Sequence, residues 1–139
     1  MDELTLLISF TEYYSYLKNI PGHRVYTAFD NAGMLTTVLE SRKQFPTMDL
    51  DFYIGLVDGI MAGAMAMEND TRQKAYDGYK DRTALLLDVV GRIAKKHHMD
   101  AKEACDMYYK SRTAADVAED CTGSYKKTAD EIFALVEKE

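Results

Sequence analysis

The sequence predicts an all-α protein, a compact helical bundle built from two similar modules that are offset by 79 residues. Apolar residues recur at three- and four-residue spacing along most of the chain, which is the period of an amphipathic α-helix. Two prolines and eight glycines in 139 residues disfavour both disorder and an all-β fold. The modules, residues 1–69 and 70–139, are each too small to bury a large core alone, so we expect them to pack as one globular body.

An ungapped comparison of the chain with itself supports the two modules. The stretch Asn19 to Asp58 lies on His98 to Glu137 when it is moved by 79 positions. Identical residues occur in the first stretch at Val38, Glu40, Asp51, Leu56 and Val57. Each half is then expected to contain a long, a short, a short and a long helix. Chance similarity between amphipathic helices is the alternative.

The first half is expected to form four helices, over residues 3–18, 23–31, 34–41 and 49–68. The first helix has one apolar face, formed by Leu6, Phe10, Tyr13 and Leu17. Pro21 ends this helix because proline cannot continue the hydrogen-bond ladder. Gly33 is free to take the positive φ that often ends a helix, so it separates the second helix from the third.

A stripe of small residues runs along the most apolar helix of the first half. Gly55, Gly59 and Gly63 are four residues apart, so they lie on one side of that helix. Each glycine costs about 1 kcal/mol of helix stability relative to alanine, so three in register indicate that another backbone approaches closely. Close packing between the two modules is the favoured interpretation, and a homodimer face is the alternative.

The second half is expected to form helices over residues 83–98, 101–110, 113–120 and 128–138. The first of them should bury Leu86, Val89, Val90 and Ile93. Capping boxes predict the starts of the other three, because an N-cap side chain and a carboxylate three residues later satisfy each other's backbone N–H groups. The pairs are Asp100 with Glu103, Thr113 with Asp116, and Thr128 with Glu131.

The net charge of −6 belongs to the first half. Residues 1–70 contain ten acids and four bases, whereas residues 71–139 contain thirteen of each. An acidic surface repels nucleic acid and anionic lipid. Met1-Asp2-Glu3 is acidic where a signal peptide needs basic residues, and the most apolar run, at 50–67, is too short and too charged to span a membrane. We therefore expect a cytoplasmic protein without a membrane segment.

The candidate metal and catalytic groups fit their chemistry poorly. His97 and His98 are adjacent, so on a helix they point about 100° apart, which disfavours a shared metal. Asp120 to Glu131 has the length of a calcium loop, but the residue at its glycine position does not fit. Cys105 falls on an inward face and no histidine pairs with Cys121 in sequence, so free thiols are expected. The sequence therefore predicts no catalytic residue, no cofactor, no metal and no enzyme activity.

Nucleic-acid binding is the alternative function that the sequence leaves open. A basic edge on the second half would be formed by Arg92, Lys95, Lys96, Lys102, Lys126 and Lys127. Three consecutive helices also suggest a helix-turn-helix. The natural recognition helix, residues 113–120, carries three carboxylates that would repel phosphates, which disfavours this alternative.

Tyrosines in the acidic half predict a protein-binding surface. Tyr13, Tyr16 and Tyr53 are the candidates for this surface. Tyrosine is frequent at interfaces because it offers apolar area together with one polar tip. The favoured function is therefore a non-catalytic protein–protein interaction module. For most of the tyrosines a half-buried rim position is the favoured interpretation, with Tyr16 and Tyr53 as the exceptions.

One set of motifs carries a resemblance to a known kind of module. The motif residues are Gly22, Val25, Phe29, Gly33-Met34-Leu35 and Tyr53-Ile54 through Asp58. The first half, which carries these motifs, resembles a family of short all-helical bacterial modules of unknown function. The second half resembles a more divergent branch of the same family. Family members often carry Leu-His-Thr where this chain has Phe45-Pro46-Thr47. Such modules are often encoded beside ADP-ribosyltransferase-like proteins, so the resemblance implies a partner or antidote of a toxin-like enzyme.

Overall fold

The computed structural model describes residues 2–18, 20–45, 47, 49–65, 79–119 and 128–139, with the backbone alone in 58–65, 79–80 and 118–119. Within these residues the chain forms eight α-helices, which confirms the predicted all-α bundle. They are α1 (Glu3–Lys18), α2 (Gly22–Asn31), α3 (Met34–Gln44), α4 (Leu50–Met65), α5 (Tyr79–His97), α6 (Ala101–Tyr109), α7 (Arg112–Glu119) and α8 (Ala129–Glu137). None of these described helices is long and apolar enough to cross a membrane.

Every predicted helix is present, and the largest differences concern α3 and α5. α3 continues three residues beyond its predicted end, to Gln44, and stops at Phe45 with φ −130° and ψ 68°. Phe45 precedes a proline, which disfavours helical backbone at that residue. The helix therefore ends where the sequence first forbids it to continue. α5 begins four residues earlier than predicted, at Tyr79.

Two of the four corresponding helix pairs begin 79 residues apart, whereas α1 and α5 begin 76 apart and α3 and α7 begin 78 apart. α2 and α6 begin at Gly22 and Ala101, which are 79 residues apart. α4 and α8 begin at Leu50 and Ala129, again 79 residues apart. Their lengths differ, because α4 spans 16 residues and α8 spans nine. The second half therefore consists of one long helix followed by three short ones. Its fourth helix is short, whereas a long one was predicted.

α1 is the central helix of the bundle and is buried on almost every side. It packs against α5 and α6 of the second half and against α2 and α4 of its own half. Its buried residues are Leu6, Leu7, Ile8, Phe10, Thr11, Glu12, Tyr14 and Ser15. Leu17, placed on the inward face by its spacing, is instead 46% exposed. A single apolar stripe does not describe a helix that four others surround.

The two halves share one apolar core. On the first-half side, the ring of Phe29 packs against those of Phe10 and Tyr14, with centroids 5.2 and 5.0 Å apart. On the second-half side, the four α5 residues predicted to point inward are all buried. The buried apolar residues of both halves form a single cluster, in which α1 contacts both α5 and α6.

Two of the three predicted capping boxes are confirmed. Asp100 Oδ1 accepts a hydrogen bond from the Glu103 N–H at 2.8 Å, and the Glu103 side chain accepts from the Asp100 N–H. Thr128 and Glu131 make the same reciprocal contacts at the start of α8. Gly33 also has the expected positive φ, 73°, between α2 and α3.

The predicted capping box at Thr113 is wrong. Thr113 lies inside the first turn of α7, and the Ser111 hydroxyl accepts the Ala114 N–H instead, at 3.1 Å. The Glu139 carboxylate accepts the backbone N–H groups of Arg112 (2.7 Å) and Thr113 (2.9 Å). These bonds satisfy the N–H groups that a local cap would have bound. The hydrogen bonds from Thr113 also lower the pKa of Glu139.

The glycine stripe does not mediate close packing at its described end. Gly55 is exposed, and a Cβ added to it would meet no described atom within 4 Å. α4 packs on α1, and its buried described side chains are Tyr53 and Val57 on a different face. The surroundings of Gly59 and Gly63 lie outside the described part of the helix. An added Cβ at Gly55 would therefore contact none of the described residues of the second half.

Candidate functional site

Three polar side chains lie on the buried surface of α1. Thr11 Oγ1 donates a hydrogen bond to the Leu7 carbonyl at 2.7 Å, within the helix. Ser15 Oγ donates to the Ile20 carbonyl and so ties the end of α1 to the turn before α2. Glu12 is different, because a carboxylate that is only 2% exposed needs partners from elsewhere in the fold.

Arg82 and Tyr109 supply those partners. Arg82 Nε lies 3.1 Å from Glu12 Oε1, an ion pair in which the N–H bond is not aligned on the oxygen. The Tyr109 hydroxyl donates to Glu12 Oε2 at 2.8 Å. We name Glu12, Arg82 and Tyr109 the buried cluster. The buried cluster joins α1, α5 and α6. Arg82 and Tyr109 lie 70 and 97 positions from Glu12 along the chain. The sequence analysis did not predict this polar site.

Burial controls the electrostatics of the buried cluster. Burial raises the pKa of Tyr109 well above its ordinary value, and the charge of Glu12 raises it further. The pKa of Tyr108 is raised by the same two causes in the same order. Tyr109 therefore stays protonated and continues to donate to the carboxylate at neutral pH. The geometry is that of a hydrogen-bond donor held against the buried carboxylate.

A small cleft opens beside the buried cluster. It contains about 190 Å³ of empty space including its open mouth, and Gly22, His23 and Leu86 line it together with the cluster. A Cβ on Gly22 would lie 2.5 Å from Glu12 Oε2, which is closer than such atoms approach. Glycine at this position therefore leaves the space that the carboxylate occupies.

A second polar group connects α2 with α6 nearer the surface. Asp30 Oδ1 accepts from Lys102 Nζ at 3.0 Å, and Asp30 Oδ2 accepts from Lys110 Nζ at 2.6 Å. We name Asp30, Lys102 and Lys110 the surface cluster. The hydrogen bond from Lys110, followed by that from Lys102, lowers the pKa of Asp30.

Tyr26 links the surface cluster to the buried one. Its hydroxyl donates to Asp106, which also accepts from Lys102 at 3.2 Å. Its ring stacks on that of Tyr109, with centroids 4.7 Å apart and planes inclined by 17°. Burial, followed by the hydrogen bond to Asp106, raises the pKa of Tyr26. Stacked tyrosine rings, hydrogen bonds and ion pairs therefore connect the buried cluster with the surface cluster along the contact between α2 and α6.

A partly exposed apolar surface in the first half connects α1 with the end of α3 and the start of α4. The Tyr13 hydroxyl donates to Asp51 Oδ1 at 3.0 Å, and the ring of Phe52 packs against Phe45 at 5.7 Å between centroids. Phe45 is 44% exposed, and Leu17, one turn after Tyr13, is 46% exposed. We name Tyr13, Leu17, Phe45, Asp51 and Phe52 the corner patch.

The three tyrosines predicted for partner binding have different environments. Tyr13 is half-buried in the corner patch, and Tyr16 is also half-buried. Tyr53 is only 1% exposed, and its hydroxyl donates to the Phe45 carbonyl at 3.3 Å. Its ring meets that of Phe52 edge-on, with centroids 5.3 Å apart. Tyr53 therefore supports Phe45 and Phe52 from beneath, and its burial keeps it off the surface predicted for it.

Two bases of the predicted basic edge are bound to carboxylates. Arg92 Nε lies 2.9 Å from Asp88 Oδ1, and the same guanidinium contacts Asp130. Lys96 Nζ lies 2.9 Å from Glu137 Oε2. Such pairs reduce the positive potential that would attract a phosphate backbone.

The other bases of that edge are divided among different environments. Lys102 belongs to the surface cluster, whereas Lys95 is exposed on α5. Lys126 and Lys127 lie outside the described residues. The described bases therefore do not form a continuous basic surface.

His97, His98 and Cys105, three of the candidate ligands, occupy structural positions. His97 Nε2 lies 2.8 Å from Glu137 Oε1, and His98 has a φ of 53° at the end of α5. Among the described residues no group of three potential metal ligands occurs. Cys105 is buried, and burial raises the pKa of its thiol. Cys121 and most of the calcium-like stretch before Glu131 lie outside the described residues.

Comparison with known proteins returns no relative. The chain matches no protein-family model, and no similar protein was found among curated proteins or solved structures. The candidate sites therefore rest on geometry alone. They are the buried cluster with its cleft, the surface cluster and the corner patch.

Proposed function

We propose that this protein is a non-catalytic protein-binding module that acts in the cytoplasm through the corner patch. The observation that carries the proposal is the exposure of two large apolar side chains, Leu17 and Phe45, beside Tyr13 and Asp51. Aromatic and aliphatic side chains with a polar rim are the typical anchors of protein interfaces.

The local structure holds the corner patch in place. Phe45 follows the last turn of α3, and its N–H donates to the Ser41 carbonyl at 2.8 Å. Its carbonyl accepts from the buried Tyr53, and its ring rests on Phe52. A side chain that is fixed before binding loses less conformational entropy in a complex, which favours it as an anchor.

The resemblance of the first half to short bacterial helical modules indicates a class of partner to test. Similar modules are often encoded beside ADP-ribosyltransferase-like proteins, so a neighbouring toxin-like enzyme is the first partner to test. The nucleic-acid alternative has less geometric support, because Arg92, Lys96 and Lys102 bind carboxylates of the same chain.

We also infer that the two halves are copies of one module. Support comes from the 79-residue spacing of two pairs of helix starts, α2 with α6 and α4 with α8, and from positions that are buried in both halves. These pairs are Leu7 and Leu86, Phe10 and Val89, Tyr14 and Ile93, Phe29 and Tyr108, Val38 and Val117, Tyr53 and Ile132, and Val57 and Val136.

The test uses affinity capture from the native host with neighbouring gene products present. Leu17→Ser combined with Phe45→Ser removes the apolar part of the corner patch and should abolish recovery of the specific partner. Leu135→Ser is the matched control, because Leu135 is also exposed, at 39%, but lies on α8 of the other half. Circular dichroism verifies that both variants remain folded. Equal recovery by the patch variant and the control would exclude the corner patch as the binding face.

A further inference from the structure

Three ion pairs among the described residues join the two halves with the same direction of charge. Glu12 pairs with Arg82, and Asp30 pairs with Lys102 and Lys110. In each of these described pairs the carboxylate belongs to the first half and the base to the second. Part of the charge difference between the halves is therefore neutralised by ion pairs within the chain.

Suppose that a second copy of the first half docked on the first half in place of the second half. The 79-residue offset then identifies the residues that would stand where Arg82 and Tyr109 stand. Arg82 corresponds to Glu3, and Tyr109 corresponds to Asp30. Two first halves would thus bring Glu3 and Asp30 against the buried Glu12. Three carboxylates in a buried site repel one another and cannot all remain ionised, so this association is disfavoured.

Docking of two second halves is disfavoured for the opposite reason. Glu12 corresponds to Gly91, which has no side chain to accept from a base. Arg82 would then be buried without a carboxylate, and a buried cation without its partner is strongly unfavourable. Only the pairing of a first half with a second half satisfies every member of the buried cluster.

We propose that these charges specify docking: they make the first half bind the second half and prevent either half from binding its own kind in another chain. A buried ion pair is often no more stabilising than apolar side chains of similar volume, whereas its best-attested role is to select one arrangement over others. The buried cluster is such a selector, and the surface cluster reinforces it with the same direction of charge. This inference does not depend on partner binding by the corner patch, and it rests on the proposed duplication of one module in the two halves.

The test is a full-length triple variant, Glu12→Leu with Arg82→Met and Tyr109→Phe, which replaces the buried cluster with apolar side chains. We expect a melting temperature within about 5 °C of the wild type or above it. Two differently tagged copies are co-expressed and one tag is captured. We expect recovery of the other copy to rise about tenfold over the wild type, because self-docking is no longer opposed by charge.

Two further variants keep the outcome decisive. Glu12→Gln with Asp30→Asn removes both first-half charges with little change of volume, and it should also increase co-capture. Glu40→Gln with Lys43→Gln removes an exposed ion pair within the first half and should leave co-capture unchanged. The proposal is overturned if both cluster variants co-capture no more than the wild type. It is equally overturned if the triple variant melts as low as the single Glu12→Leu variant, since the buried cluster would then act through stability alone.

Discussion

The buried cluster and the surface cluster are built from the same chemistry but differ in their access to water. Each joins a first-half carboxylate to second-half bases, through Glu12 in one case and Asp30 in the other. Glu12 is almost completely enclosed, whereas the Asp30 side chain is 20% exposed and both of its lysines reach solvent. Water can replace a lost partner at Asp30 but not at Glu12.

This difference teaches that the number of contacts is a poor guide to their energetic importance. Asp30 has two lysine partners at 3.0 Å or less, and among the described contacts Arg82 is the cation that pairs with Glu12. Removing one partner of a buried pair leaves an uncompensated charge, while exposed pairs are typically worth about 0–1 kcal/mol. We therefore expect the largest effects from substitutions in the buried cluster.

The largest expected effect is that of Glu12→Leu. This substitution leaves Arg82 buried without its carboxylate and Tyr109 without its acceptor, so the free energy of unfolding should fall by about 3–5 kcal/mol. Urea unfolding followed by circular dichroism measures it. Glu40→Gln, which disrupts the exposed ion pair with Lys43, is the control and should change stability by less than about 0.5 kcal/mol.

Tyr109→Phe tests the hydrogen bond to the buried carboxylate. Loss of a bond to a charged acceptor should cost about 1.5–3 kcal/mol at neutral pH. The raised pKa of Tyr109 also predicts the pH dependence. Its contribution is fully present below the ordinary tyrosine pKa of about 10 and is lost as pH rises beyond it, because the unfolded chain ionises first. Stability above pH 10 should therefore fall less steeply in the variant, and parallel alkaline curves would contradict the burial of this phenol.

Gly22→Ala tests the space beside Glu12. The added Cβ would lie 2.5 Å from Glu12 Oε2, so the carboxylate must move, and we expect a loss of about 1–3 kcal/mol. Gly91→Ala is the matched control, because its added Cβ meets no described atom within 4 Å. Alanine at that helical position should stabilise the protein by up to about 1 kcal/mol. Thermal unfolding should thus shift in opposite directions for the two variants.

Asp30→Asn is expected to have the smallest effect. Its partners remain hydrated, so the loss should be about 0.5–1 kcal/mol and should decrease at high salt. The pKa of Asp30 is lowered, so its contribution is present above the ordinary carboxyl pKa and is lost as pH falls through the lowered value. The difference between wild type and variant should therefore begin to shrink below about pH 4 and disappear once the pH is below the lowered pKa of Asp30. A loss as large as that of Glu12→Leu would contradict the contrast between the clusters.

Features that depend on neighbouring residues could be predicted from the sequence. The capping boxes at Asp100 and Thr128 need only a partner three residues later, and both occur as expected. The helix order and the buried residues of α5 follow from apolar spacing in the same way. Gly33 was predictable because a positive φ has few other solutions.

Features that depend on distant residues could not be predicted. The α7 start is bound by Glu139, 26 residues beyond Thr113, so the local capping pattern there was misleading. Glu12 looked like an ordinary charged residue because its partner Tyr109 is 97 positions away. Periodicity identifies one apolar face, but it does not show that four helices surround α1 or that Tyr53 on α4 is buried.

A double-mutant cycle between Glu12 and Arg82 tests most directly whether the buried cluster couples the two halves. The free energies of unfolding of Glu12→Leu, Arg82→Met, the double variant and the wild type are measured under one set of conditions. Each single variant leaves the other residue buried without its partner, and the double variant removes both problems. We predict that the double variant loses at least about 2 kcal/mol less than the sum of the single losses. Losses that add within about 0.5 kcal/mol would contradict the coupling.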